Sequence, residues 1–390
     1  MPGLITPADL SLHLVGQEGL LLDSARQRLY AVNACAAFIW RLLEDGKSPA
    51  EITGSLNLHF AVPADMAAVY VADVLRQCEA LLAEHKEAPT ATLVDMGARR
   101  RLLPRRRAAG VVEVYALLGG TFRVHYDSVG LAEGIHPLLR HGPRPGAAEG
   151  ATASDVWVMH DEAGVAVAAG DEVIGVSRTL EDAAVAVRAC LTRLAVSASG
   201  GLCAVHAGAL RRGGAALMLP GEAGHGKSTL SAGLAARGFE MLSDDTTLLA
   251  GEPLRVRCLP TGLCIKRGSC DVLRAHYPRL PSLPEWRRPD GKQVRYLMPG
   301  RDLRWAGPDA AVDVRWIVFP RFHPDHGTAL VALPRHEALA RLLRGVCFLS
   351  GSLDERNIAG LIAWIERIDC FDLPLSSLDA ATALLDRVCA

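Results

Sequence analysis

The chain has 390 residues, half of them apolar, and its 42 Lys/Arg against 43 Asp/Glu leave a net charge of −1. Such a length buries a substantial core and points to two domains, while near-zero charge excludes global steering toward nucleic acid or an anionic membrane. The longest apolar region, Cys203 to Leu219, is broken by Arg211-Arg212-Gly213-Gly214, so no membrane span is expected. The ten cysteines form no C-x-x-C pair and the N-terminus lacks a signal-peptide pattern, which points to reduced thiols and a cytoplasmic location.

In chain order, residues 12–33 alternate in a strand-like way (Leu12, Leu14, Leu20-Leu21-Leu22, Leu29, Tyr30, Val32) and predict a short β-hairpin. Asn33 is placed to cap a helix carrying Ala36, Ala37, Ile39, Trp40 and Leu43, which ends near Gly46. Ser48-Pro49-Ala50-Glu51 is a capping box with proline at the first helical position. A third helix follows Pro63, with Val69, Ala72, Leu75, Leu81 and Leu82 assigned to its buried side. Hairpin and helices together make a small winged-helix-like domain over residues 1–88. Six Lys/Arg against eleven Asp/Glu in that segment oppose duplex binding.

The stretch "LLLDSARQRLYAVNACAAFIWRLLEDGKSPAEI" resembles the PqqD family, the peptide-chaperone domain also known as the RiPP recognition element. Leu29-Tyr30-Ala31-Val32-Asn33 and Phe38-Ile39-Trp40 carry most of the likeness, which extends from about residue 10 to 86. In that family the hairpin edge and third helix hold the leader of a precursor peptide as an added strand, so the resemblance implies a leader peptide as partner. The physics is β-augmentation, in which backbone hydrogen bonds give affinity and apolar pockets give selectivity. A plain packing or dimerisation module is the other reading of such a domain.

Residues 89–390 form the second expected domain, with 89–200 as an accessory part. Ala88-Pro89-Thr90-Ala91-Thr92 reads as a linker. Arg99-Arg100-Arg101 and Arg105-Arg106-Arg107 form a basic cluster, either a solvated face or a grip for an acidic peptide or phosphates. Val111 to Val124 reads as strands, His141 to Ser154 as a Gly/Pro/Ala-rich loop, and Thr179-Leu180-Glu181-Asp182 opens a helix running to about Ala198.

The core, residues 201–390, is organised around Gly221-Glu222-Ala223-Gly224-His225-Gly226-Lys227-Ser228-Thr229, which fits G-x-x-x-x-G-K-[ST]. It follows the apolar run Ala215–Leu219 and precedes a helix through Leu230, Leu234 and Ala235 to Arg237, with Gly238 as its C-cap. In such a loop, glycines turn backbone N–H groups toward phosphates, Lys227 reaches the β/γ-phosphates and the Ser228 hydroxyl ligates Mg²⁺. ATP and Mg²⁺ are therefore the expected cofactors. Past the helix, Phe239, Met241 and Leu242 lead as a strand into Ser243-Asp244-Asp245. This acidic pair suits metal binding and proton acceptance from a hydroxyl, although such a pair also serves as a turn. His206 lies in the strand-like run Cys203–Leu210, where a lone histidine is more often a core residue.

The order of His206-Ala207, hairpin, phosphate loop, helix and "RGFEMLSDD" resembles the HPr kinase/phosphorylase superfamily, a relative of phosphoenolpyruvate carboxykinase. The likeness spans Val205 to Asp245 and implies a mixed-sheet P-loop kinase fold. It also implies one active site formed by His206, Lys227, Ser228, Asp244 and Asp245 for phosphorylating a serine hydroxyl. Ser228 and Asp244 are the implied metal ligands; Asp245 is favoured near the acceptor, with the two carboxylates treated as a unit. This chain has Ala223 where the family carries Ser or Thr, His225 where it carries a small residue, and no downstream glycine-rich signature. Those departures put the HPr substrate and phosphorylase activity in doubt. In the replacing segment, Leu259–Ser269, Lys266 is either a further phosphate contact or a solvated lysine.

Beyond the core motifs, Trp316–Phe319 reads as a strand, and His336–Leu343 and Ile358–Arg367 as helices. His323, Asp325 and His326 read as turn residues. The whole predicts an α/β chain joining a peptide-recognition domain to an ATP-dependent kinase, with no nucleic-acid or membrane partner and a homo-oligomer left open. Two other readings stand beside it. One is a kinase for a small-molecule hydroxyl, for which residues 1–88 would be dispensable. The other is a non-catalytic, nucleotide-gated peptide carrier.

Overall fold

The structure, a computed structural model, describes residues 10–24, 27–60, 62–86, 110–139, 153–170, 172–288, 290–350 and 353–390. The expected linker at 88–92, the arginine cluster at 99–107 and residues 141–152 of the expected loop lie outside them, as do the side chains of Leu81 and Leu82. The chain divides into two compact units. The first comprises Met1–Gly97, Pro334–Arg344 and Gly351–Arg367; the second comprises Ala98–Leu333, Gly345–Ser350 and Ile368–Ala390.

In the first unit, β1 (Leu10–Val15), β2 (Glu18–Asp23) and β3 (Arg28–Val32) form an antiparallel meander, one strand more than the expected hairpin. The run Leu20-Leu21-Leu22 explains why. β2 is the central strand and is covered on both faces, so it is apolar at successive positions instead of alternating. α1 (Ala34–Glu44) begins at Asn33, whose side chain accepts the Ala36 N–H at 2.9 Å. α2 (Pro49–Phe60) begins with the capping box, the Glu51 carboxylate accepting the Ser48 N–H at 2.8 Å. α3 (Ala64–Lys86) packs Ala67 and Val71, with Val74 and Leu75, against Ile39, Ile52 and Leu56. Val69 and Ala72 face outward, a correction to the expected stripe, because the buried side is centred on Ala67 and Val71.

The second unit opens with a five-stranded sheet of β4 (Val111–Leu117), β5 (Gly120–Tyr126), β6 (Ser154–Asp161), β7 (Gly164–Ala169) and β8 (Glu172–Ser177) in chain order. α4 (Val129–Leu139) and α5 (Leu180–Ala198) share one core with it, and the Thr179 hydroxyl caps α5. There follow β9 (Cys203–Val205), β10 (Ala207–Arg212), β11 (Ala215–Pro220), α6 (Lys227–Ala236), β12 (Glu240–Ser243), β13 (Thr247–Ala250), β14 (Arg255–Arg257) and β15 (Leu263–Lys266). Next come α7 (Cys270–Leu273), β16 (Trp286–Arg287), β17 (Gln293–Leu297), β18 (Ala311–Val312), β19 (Val314–Phe322) and β20 (Val331–Ala332). The chain finishes with α8 (Arg335–Arg344), β21 (Val346–Leu349), α9 (Glu355–Ile365), β22 (Asp369–Leu375) and α10 (Leu378–Val388).

Three further sheets organise this unit. A mixed six-stranded sheet runs β12-β10-β11-β19-β22-β20, with β11 parallel to β19 and β19 parallel to β22. A second runs β18-β14-β13-β9-β21, and a small third runs β15-β17-β16. The run expected as one strand from Cys203 to Leu210 is therefore two, β9 and β10, which belong to different sheets and meet at His206. α6 packs on the six-stranded sheet beneath α10. Gly233 allows that approach, since a Cβ there would stand 2.8 Å from both Leu378 Cδ1 and Thr382 Cγ2.

α8 and α9 belong to the first unit, while β21 between them belongs to the second. In the first unit α8 rests on β2 and β3, and α9 on β1. The buried imidazole of His336 pairs with Glu18, tying α8 to the start of β2.

Candidate active site

The loop 221–226 joins β11, buried between two neighbouring strands, to α6. Gly224 and Gly226 have φ of 100° and 87°, a region that L side chains rarely adopt. No side chain caps α6, so the first N–H groups of the helix remain available to an anion. Ala223, Gly224, Gly226, Lys227, Ser228 and Thr229 line a cavity of about 140 Å³. Gly221, Glu222 and His225 are not part of that lining; Gly221 and Glu222 contribute carbonyls to Lys227, and the Thr229 hydroxyl donates to Ser269 at 2.7 Å.

Lys227 is buried, and its ammonium reaches Gly221 O at 2.5 Å, Glu222 O at 3.0 Å and His206 Nε2 at 3.1 Å. Three donors meet three acceptors. Burial lowers its pKa, an effect opposed by the negative charges of Asp245 and Asp244. His206 sits where the chain leaves one sheet for another, and its own N–H donates to Gly345 O at 2.7 Å. Its Nδ1 lies 2.8 Å from the carbonyl oxygen of Asp245, so Nδ1 carries the proton and Nε2 offers its lone pair to Lys227. The histidine thus links Lys227 to the acidic pair.

β12 delivers the two carboxylates into different surroundings. Asp244 is buried; Oδ1 accepts the Ser228 hydroxyl at 3.2 Å and Oδ2 accepts the Cys264 N–H at 2.8 Å. Burial, reinforced by the charge of Asp245, pushes its pKa well above the carboxylate range. Asp245 has φ of 59°, a left-handed backbone at a non-glycine residue, and its side chain lines the cavity. Arg288 Nη1 lies 3.7 Å from Asp245 Oδ2. A hydroxyl and a carboxylate side by side are hard oxygen donors of the kind Mg²⁺ takes alongside water and phosphate oxygens, so Ser228 and Asp244 fit that ion.

Lys266, at the end of β15, lines the same cavity, and the turn between β16 and β17 adds Arg288, Asp290 and Lys292. Asp290 pairs with Lys292 at 2.9 Å and with Arg288 at 3.5 Å. The last three residues escape sequence reasoning because "RRPDGK" has the composition of an ordinary exposed turn. His323 and His326 stack at 4.1 Å, and His323 Nδ1 accepts the Asp325 N–H at 3.3 Å, as residues of one turn. Among the described residues, no group of three or more His, Cys, Asp or Glu side chains could hold a metal ion.

Residues 18–85 match the family model described as coenzyme PQQ synthesis protein D (PqqD). The chain carries a PqqD domain at its N-terminus. It is also similar to the solved structure described as "TbiB1 in Complex with the TbiA(beta) Leader Peptide", with 24% identity over 21% of this chain and 92% of that one and a TM-score of 0.19. No curated protein matches the chain. No helix among the described residues is long and apolar enough to cross a membrane.

Proposed function

We propose that the chain is an ATP-dependent kinase whose PqqD domain holds the leader of a ribosomally made precursor peptide while the second unit phosphorylates a hydroxyl, a serine by family likeness, of that peptide. The observation that carries this reading is the convergence of His206, Lys227, Ser228 and Asp245 on one cavity, with buried Asp244 hydrogen-bonded to Ser228. In the proposed reaction the loop amides and Lys227 hold the phosphates, and His206 Nε2 fixes the Lys227 ammonium. Ser228 and Asp244 would hold Mg²⁺, which would supply positive charge to neutralise the phosphates. Asp245, with Arg288 beside it, takes the proton of the acceptor hydroxyl. The acceptor oxygen bonds to the γ-phosphorus as the bond to the bridging oxygen breaks, releasing ADP.

Leader binding raises the local concentration of the acceptor to roughly millimolar, which relaxes what the kinase site itself must recognise. The test is transfer from γ-labelled ATP to candidate precursor peptides, with and without their leaders, alongside Lys227→Ala and Asp245→Asn. Label that requires the leader and disappears in both variants supports the proposal. ATP binding without transfer to any peptide overturns the peptide acceptor.

A further inference from the structure

We infer that α8 forms a second wall of the peptide site, so that an extended peptide adding to the free edge of β3 lies between the PqqD meander and a helix outside the matched family segment. This rests on the reading that the PqqD domain binds peptide. Among the described residues β3 pairs with β2 alone, leaving its other edge with unpaired backbone groups. Beside it lies a cavity of about 750 Å³ that runs from Gln27 to Asn33 along the strand and from His336 to Arg344 along α8. At about 3.3 Å per residue the strand side measures about 20 Å, room for about five or six residues of an added strand.

The cavity is held open by anchors at both ends. His336 pairs with Glu18, which the register Gly19↔Val32 places beside the C-terminal end of β3. At the other end Gln27, with φ of 55°, accepts the Leu353 N–H through its side-chain carbonyl. The first anchor ties the N-terminal end of α8 beside the C-terminal end of β3, and the second ties the segment ahead of α9 to the residue that precedes β3. Between the anchors, Leu29 and Ala31 of the strand and Ala340 and Leu343 of the helix offer small and apolar surface.

The charges along this wall are unequal. Glu337 is paired with Arg341 one turn on, whereas Arg344, which lines the cavity, is exposed at the C-terminal end of α8. The occupant that fits is an extended peptide with small or apolar side chains on its α8-facing side and a carboxylate opposite Arg344.

The probe is a random twelve-residue peptide display library panned on the immobilised full chain, with enriched sequences resynthesised carrying a fluorophore and measured by anisotropy. Acidic residues should be enriched at one position. Arg344→Glu should weaken binding about tenfold, the loss of one charge-assisted contact, and reverse the charge preference on repanning. Leu343→Asp should weaken it further, while Leu58→Asp, on exposed α2 surface, should leave it within about twofold. Circular dichroism checks that each variant is folded; Arg344 is exposed, so that variant keeps the test decisive. Unchanged binding in Arg344→Glu and Leu343→Asp would refute the second wall and leave peptide recognition standing. No enrichment at all would remove the β3 edge as a peptide site, and with it the leader-binding half of the proposed function. Neither result depends on phosphoryl transfer.

Discussion

Replacing Asp244 by Asn should stabilise the protein while abolishing its activity. The carboxylate is buried and its pKa is raised from 3.8 to about 7, first by burial and then by the charge of Asp245. The folded state therefore keeps a proton that the unfolded chain sheds near pH 4. Stability must then fall as pH rises from about 4 to about 7 and stay low above that. Asparagine has the same shape and no charge. Its amide oxygen can accept the Cys264 N–H and its amide N–H can donate to Ser228 Oγ, so both hydrogen bonds of Asp244 survive. Each pKa unit between the two states is worth about 1.4 kcal/mol. Even one unit gives a rise of about 3–6 °C in the melting temperature of a unit of this size. The assay is thermal unfolding of Asp244→Asn and the native chain in chelator without nucleotide, from pH 4.5 to 8. The gap should be small at pH 4.5 and widest at pH 8. An Asn variant that melts at or below the native chain at pH 8, or a gap that does not change with pH, refutes the reasoning.

Asp245→Asn should lower the rate of phosphoryl transfer by about 10²–10⁴-fold, the usual contribution of a general base, with ATP affinity retained in a nucleotide-binding titration. Gly233→Val places a side chain against Leu378 and Thr382 and should cost about 1–3 kcal/mol through overpacking, read as a lower melting temperature. Burial lowers the pKa of His13, so the unfolded chain takes up its proton first as pH falls. Stability of the first unit should decline below about pH 6.5, and His13→Gln should flatten that decline in the same melting series.

Local chemistry was legible wherever one residue type satisfies one backbone need. Asn33, Ser48 with Glu51, and Thr179 all cap the helices that their spacing implies, because a helix start exposes N–H groups that few side chains can reach. The tight bend at Gly224 and Gly226 was legible for the same reason, its glycines being demanded by the left-handed backbone. Tertiary coverage was not. The three consecutive leucines of β2 carry no sign of what covers each face, and one of those covers begins at Arg335. The split of Cys203–Leu210 was hidden too, since both halves are equally apolar and only the pairing partners differ. Arg288 and Lys292 reach the cavity through a turn whose destination depends on β15, a strand twenty residues away in sequence.

The passage of the chain through α8, β21 and α9 makes the two units inseparable by a single cut. α8 and α9 rest on the N-terminal meander, while β21 between them pairs with β9 beside His206. Truncation of residues 1–88 would uncover the apolar sides of both helices and leave them attached to either end of β21, the strand that pairs with β9 beside His206. Loss of activity in such a truncation would report misfolding rather than the identity of the acceptor, so the dispensability test for a small-molecule kinase has no clean form here. Gain or exchange of the PqqD domain likewise requires its two distant helices to change with it, which binds the N-terminal domain and the second unit into one unit of inheritance.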